Sequence, residues 1–110
     1  MSFLDQPCLV MTTAADQAAA ARIGSALLAA RLAACVQYEN IQSDYVWQGE
    51  IHSDTEVRLL IKTLRSRYEA VEEMILDLHD YDCPQVVWLG VDGGSEAYLQ
   101  WLRDVVTAEA

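Results

Sequence analysis

Residues 45–63 read YVWQGEIHSDTEVRLLIKT, and this stretch decides the fold. The pair Gln48-Gly49 is typical of a tight two-residue turn, because glycine accepts the positive φ that such turns require. After the turn, the side chains alternate with the period of two that is typical of a strand. One face of this strand carries Val57, Leu59 and Ile61, and the other carries Glu56, Arg58, Leu60 and Lys62. Together with residues 34–47 before the turn, the pattern predicts a long β-hairpin.

A strand and a helix are predicted before the hairpin. Residues 8–13 form an apolar run of strand length. Asp16 is placed to cap a helix, since its carboxylate can accept from the free amides of the first turn. Ile23 and Leu27 then recur at helical spacing, and we expect this helix to continue to about residue 32.

A second helix, a fourth strand and a last helix are predicted after the hairpin. Ser66 and Glu69 match a capping box, in which each side chain satisfies the other residue's amide. Pro84 stops this second helix, and residues 85–91 are rich in the Val, Trp and Leu of a strand. Ser95 is then placed to cap a C-terminal helix.

The order β-α-β-β-α-β plus a C-terminal helix is that of an α+β, ferredoxin-like sandwich. We expect one domain over residues 1–110, with its core at about residues 8–106. Helices cover one face of such a sheet. The other face, where Leu60 lies, is left without cover from this chain and therefore predicts a partner.

Charge and hydropathy exclude several partners. The chain has a formal net charge of −10, so phosphate backbones and anionic lipid repel it, and we expect neither nucleic acid nor membrane as a partner. No apolar run approaches the ~20 residues that span a bilayer. Because the first residues show no basic start followed by an apolar block, no signal peptide is visible and we expect a cytoplasmic protein.

The cysteines do not form a disulfide framework or a zinc-finger pattern. Cys8, Cys35 and Cys83 are odd in number and contain no Cys-x-x-Cys pair. Cys8 and Cys35 lie in apolar, strand-like runs, where a free thiol is usually a small buried hydrophobe. We therefore expect Cys35 to be a buried thiol.

Four short runs carry a resemblance to a known family. They are RLAACV at 31–36, YVWQGEI at 45–51, LIKT at 60–63 and HDYDCP at 79–84. In order and spacing they resemble the CutA divalent-cation tolerance family over about residues 9–102. The resemblance implies a homotrimer, with three sheets packed around a threefold axis. It also implies a role in tolerance to divalent cations, copper especially, by binding or signalling rather than catalysis.

The run at 79–84 is the predicted metal site. A neutral imidazole at His79 is a common ligand for copper and zinc, and Asp82 and Cys83 lie close enough in sequence to share an ion. The alternative is that His79 only interacts with the end of the preceding helix. Five residues depart from the family pattern: Asp80, Asp82, Cys83 and Gln85 in and after this run, and Thr12 at the end of the first strand. We expect copper or another divalent cation, none of it tightly bound.

A ligand cleft between subunits is predicted near Trp47, Lys62 and Tyr81. Lys62 projects from the uncovered face of the sheet, where a charge needs a carboxylate of another subunit or an anionic ligand. Similar sheets and trimers occur in the PII proteins, so the alternative function is a trimeric sensor of a small molecule or partner protein, with metal incidental. The chain has no nucleophile elbow and no phosphate loop, and we do not predict an enzyme; a hydrolase of a small anionic substrate is the third hypothesis.

Overall fold

The computed structural model describes residues 5–107 of the chain. The expectation about a signal peptide rests on residues 1–5, of which residues 1–4 lie outside the described part. The elements follow one another as β1 (Pro7–Ala14), α1 (Gln17–Ala29), β2 (Cys35–Trp47), β3 (Glu50–Leu64), a 3₁₀ turn (Arg65–Arg67), α2 (Tyr68–Leu78), β4 (Val86–Gly90) and α3 (Glu96–Thr107). None of the helices in residues 5–107 is long and apolar enough to cross a membrane.

The described strands form one antiparallel sheet in the order β2-β3-β1-β4. In this order the first strand lies between the third and the fourth, which is the arrangement of the predicted ferredoxin-like sandwich. The register places Val10 beside both Ile61 and Trp88, so the centre of the sheet joins three strands. The predicted fold class is confirmed.

One face of the sheet and two helices enclose the core. The alternate residues Val10, Leu59 and Ile61 are fully buried on this face. The helices α1 and α2 supply Ile23, Leu27, Val71 and Ile75 to the same cluster. The core follows the period-two pattern of β3 because every second side chain of a strand points to the same face.

The opposite face is covered only at one end. There α3 packs Leu102 and Val106 against Leu64. Farther along, the register aligns Leu9, Met11, Leu60, Val87 and Leu89 on the same face. Val87 and Leu89 are 44% and 54% exposed. This remaining apolar surface, called the open face below, has no cover from the described part of the chain.

The β2–β3 hairpin extends far beyond the rest of the sheet. Strand β1 pairs with β3 only over Val57 to Leu64, whereas β2 follows β3 to the turn. The part of the hairpin from Ile41 to Glu56, called the arm below, is therefore a two-stranded ribbon. It contributes to a longest molecular dimension of 45 Å. At its tip Gln48 and Gly49 have φ values of 53° and 82°, as the predicted tight turn requires.

Caps and boundaries differ in part from the sequence predictions. The Asp16 cap is confirmed, with the amide of Ala19 donating to its carboxylate at 2.8 Å. The capping box at Ser66 and Glu69 is wrong: α2 starts without a side-chain cap, and the Arg65 guanidinium donates to both carboxylate oxygens of Glu69 at 2.8 and 2.9 Å. Glu69 accepts from the guanidinium rather than from the amide of Ser66, because a charge-assisted contact to both carboxylate oxygens is stronger than a hydrogen bond from a neutral amide.

We predict that Gly49→Ala destabilises the protein, because a β-carbon is strained at a φ of 82°. The free energy of unfolding should fall by about 1 kcal/mol, measured by urea denaturation at a fixed protein concentration. Gly93→Ala is the matched control, since a β-carbon there meets nothing within 4 Å and the backbone lies outside the left-handed region. An equal loss in both variants would contradict a strained turn.

Candidate functional site

A cleft of about 680 Å³ lies where the arm meets the end of β1 and the segment that follows α2. Thr13 comes from β1, and Tyr81, Asp82, Cys83 and Gln85 come from the segment after α2. The arm contributes the remaining residues that line the cleft: Gln42, Ser43, Asp44, Tyr45, Trp47, Asp54 and Glu56. The cleft thus joins residues that are up to 72 positions apart in the sequence, from Thr13 to Gln85.

The lining combines carboxylates with aromatic rings. Its carboxylates belong to Asp44, Asp54, Glu56 and Asp82, and no lysine or arginine lies among the described lining residues. The rings of Tyr45, Trp47 and Tyr81, called the aromatic wall below, make up much of the rest. Such a lining attracts cations and repels anions.

Two tyrosines donate to two carboxylates of β3. The Tyr81 hydroxyl donates to Glu56 at 2.9 Å, and the Tyr45 hydroxyl donates to Asp54. Burial, reinforced by the bond to Glu56, raises the pKa of Tyr81, and the bond to Asp54 raises the pKa of Tyr45. Both phenols therefore stay protonated at physiological pH, and each occupies one acceptor position of its carboxylate.

His79 supports the segment that carries Tyr81 but does not line the cleft. Its Nε2 lies 2.6 Å from the carbonyl oxygen of Thr13, and its Nδ1 accepts from the amide of Tyr81 at 3.1 Å. A carbonyl only accepts, so Nε2 carries the proton and the ring is the neutral tautomer. The rings of His79 and Tyr81 also pack with centroids 4.6 Å apart. His79 thus ties the segment after α2 to β1.

The structure brings together two of the three predicted metal ligands. Asp82 and Cys83 line the cleft and are exposed, whereas both ring nitrogens of His79 are used by backbone groups. Within residues 5–107, no three His, Cys, Asp or Glu side chains converge as a metal site. The ligand set His79, Asp82 and Cys83 therefore stays a prediction. The imidazole of His79 would have to break a hydrogen bond to the backbone before it could bind an ion.

The predicted ligand cleft is also brought together in part. Trp47 and Tyr81 both line it, but Lys62 does not. Lys62 lies six residues along β3 from Glu56, which is about 20 Å for an extended strand. It stands on the open face between Leu9 and Cys35. A single copy of the chain does not place Lys62 and Trp47 in one cleft.

The cysteines occupy three different environments. Cys8 is buried in the core, and burial raises its pKa to about 11. Cys35 is half-buried rather than buried, because its register with Lys62 places it on the open face instead of the helix-covered face. This corrects the expectation of a buried Cys35 thiol, as far as the single chain is concerned. Cys83 is exposed at the cleft.

Several residues that line the cleft, among them two of its carboxylates, were not predicted from the sequence. Asp54, Glu56 and Tyr45 were not predicted as site residues, although the pattern contains a signal for them. Side chains two apart on a strand share a face, so Tyr45 accompanies Trp47, and Asp54 accompanies Glu56. What the pattern does not contain is the approach of Tyr81 to Glu56, 25 residues apart in the sequence.

Known proteins were compared with this chain in sequence and in structure. The profile of the CutA1 divalent ion tolerance protein family matches residues 8–105. The divalent-cation tolerance protein CutA of Pyrococcus horikoshii is 37% identical over 86% of this chain and 92% of its own length. The crystal structure of CutA1 from Shewanella sp. SIB1 superposes with a TM-score of 0.89 at 36% identity, covering 94% of this chain and 97% of that one.

Some relatives are longer. The chloroplastic protein CutA of Arabidopsis thaliana is 37% identical over 87% of this chain, but the match covers only 53% of that protein. The chain therefore spans about half the length of the plant relatives that it matches. The profile match, the identities and the superposition agree with one another, and the chain belongs to the CutA1 divalent ion tolerance protein family.

Proposed function

We propose that this chain contributes to tolerance of divalent cations, copper in particular, by reversible binding or signalling as a homotrimer, and not by catalysis. Relatives in this family are named for divalent-cation tolerance. The observation that carries the proposal is the cleft, in which Asp54, Glu56, Asp82 and Cys83 face a space without a described basic residue. Cytoplasmic localisation remains part of the proposal, and fractionation of cells tests it.

The donor set fits an exchangeable ion better than a resident one. Asp54 and Glu56 each already accept a phenol hydrogen bond, and the described donors do not converge on one point. Asp82 and Cys83 are neighbours at the exposed end of the cleft, where a carboxylate and a soft thiolate suit copper better than magnesium or calcium. We therefore expect the cation to bind reversibly and to exchange with solvent, as a tolerance role requires.

We predict that the double variant Asp82→Asn, Cys83→Ser weakens copper binding about tenfold or more. Even the loss of a residue that only orients a metal ligand costs about 10–100-fold in affinity. The measurement is Cu(II) titration against a competing chelator, repeated with Cu(I) under reductant. Asp77→Asn, an exposed carboxylate on α2, is the control. Equal affinity in the double variant and the parent protein would contradict copper binding at this end of the cleft.

His79 has its own test. If the imidazole binds the ion, His79→Ala loses copper affinity, and the ¹⁵N shift of one ring nitrogen moves on addition of diamagnetic Cu(I). If His79 only supports the segment, both ring shifts keep their hydrogen-bonded values while copper binds. Unchanged affinity in His79→Ala would remove this residue from the site.

Assembly through the open face is the second part of the proposal. A contiguous apolar surface on a protein this small favours association, and cyclic symmetry buries it in every copy. The arm adds Val46 and Ile51, which are 71% and 81% exposed, as further apolar surface for a neighbouring copy. Three copies packed in this way would also bring Lys62 of each chain near its neighbours.

We predict that the protein sediments with the mass of three 12.3 kDa chains and that Leu89→Glu dissociates it. Leu89 is 54% exposed on the open face, so a carboxylate there has to leave water when the trimer forms. Leu76→Glu is the matched control, because Leu76 is 49% exposed but lies on α2, away from this face. Analytical ultracentrifugation measures both variants. A stable monomer of the parent protein would contradict the assembly.

The second candidate function is a PII-like trimeric sensor of a small molecule or partner protein, with metal incidental. The volume of the cleft favours it, because about 680 Å³ is more than one ion fills and lies within the usual range of small-molecule sites. The side-chain ammonium of Lys62 makes no hydrogen bond or ion pair within residues 5–107, and we assign it to the interface between copies.

A further inference from the structure

We propose that the cleft binds a linear polyamine, with its ammonium groups at Asp54 and Glu56 and its methylene chain against the aromatic wall. This inference rests on the second candidate function, the small-molecule sensor, and gives that sensor its class of ligand. It does not require that copper binds.

The dimensions of the cleft suit a chain-like ligand. The arm strand β2 lines it between Gln42 and Trp47, six residues whose five steps span about 17 Å when extended. The described carboxylates are distributed along this length and do not meet at one point. A ligand with several charges along a chain satisfies distributed carboxylates, whereas a single bare ion reaches only some of them.

The charges of the cleft select a cation. Asp54 and Glu56 lie two residues apart on the same face of β3, so their α-carbons are about 6.6 Å apart. Each carboxylate accepts one bond from a tyrosine and keeps further lone pairs, since an ionised carboxylate has about four acceptor positions. The tyrosines stay neutral, so the charge of the lining comes from its carboxylates alone.

The aromatic wall offers ring surfaces that an alkylammonium ligand can contact and that a metal ion does not use. Tyr45 and Trp47 are each 41% exposed, and their side chains follow one another on one face of β2. Aromatic rings attract ammonium groups through their negative faces and cover methylene groups through dispersion. Carboxylates beside partly exposed aromatic rings, in a lining without a described lysine or arginine, are the combination that recognises alkylammonium ligands.

The test is isothermal titration with spermidine, with triethylene glycol as an uncharged chain. We expect spermidine to bind and the glycol not to bind. Glu56→Gln and Asp54→Asn keep an acceptor for the tyrosine but remove the charge, and each should weaken spermidine binding about fivefold. Glu73→Gln, an exposed carboxylate on α2, removes the same charge outside the cleft and should leave the affinity unchanged. If one cleft variant fails to fold, the other carries the test.

The aromatic contribution is measured separately. Trp47→Ala should weaken spermidine binding about threefold or more, and Trp47→Phe should retain most of the affinity, because the ring face is the interacting surface. Displacement of spermidine by magnesium at equal ionic strength, or an equal loss in Glu73→Gln, would show a diffuse charge effect and overturn the proposal.

Failure of this inference differs from failure of the metal role. Copper binding depends on Asp82 and Cys83, whereas spermidine binding depends on Trp47, Asp54 and Glu56. Copper binding without spermidine binding would contradict only the polyamine proposal. Spermidine binding without copper binding would contradict only the metal role.

Discussion

The continuous pairing of β2 with β3 is the constraint on which the rest of the structure depends. From Cys35 opposite Lys62 to Trp47 opposite Glu50, every residue has a fixed partner. Because side chains alternate between faces, a slip of one residue would move Leu59 and Ile61 out of the core and turn Glu56 away from the cleft. The same register therefore fixes the hydrophobic core at one end of the hairpin and the acidic lining at the other.

Two surfaces of opposite character follow from this hairpin. The open face carries Leu9, Leu60 and Leu89, and the arm carries Asp54 and Glu56 on the continuation of the same side. Apolar surface favours contact with another protein surface, and a group of carboxylates favours cations. The separation along one strand allows a single chain to provide an association surface and a ligand cleft, with the carboxylates of the arm outside the association surface and Lys62 as the charge within it.

Much of the fold could be predicted from the sequence because local signals agree with it. The Gln48-Gly49 turn, the alternation from Val57 to Ile61 and the Asp16 cap each indicate the element that the structure contains. The capping box at Ser66 failed because a competing guanidinium at Arg65, next to it in sequence, takes Glu69. The sequence did not indicate that Cys35 lies on the open face, because an apolar run does not reveal which face of the sheet a residue occupies. Of the predicted site residues, Trp47, Tyr81, Asp82 and Cys83 line the cleft of the single chain. The acidic lining of the arm was missed, because the contact of Tyr81 with Glu56 depends on tertiary structure.

The walls of the cleft differ in stiffness. On one side, the bond of His79 to the Thr13 carbonyl ties the wall to a strand in the middle of the sheet. On the other side, the wall belongs to a two-stranded ribbon, which gains no support from a third strand. Binding of a neighbouring molecule to the arm and binding of a ligand in the cleft are therefore coupled. A neighbour that restrains the ribbon favours one shape of the cavity, and a ligand in the cavity restrains the ribbon. The coupling free energy is the same in both directions.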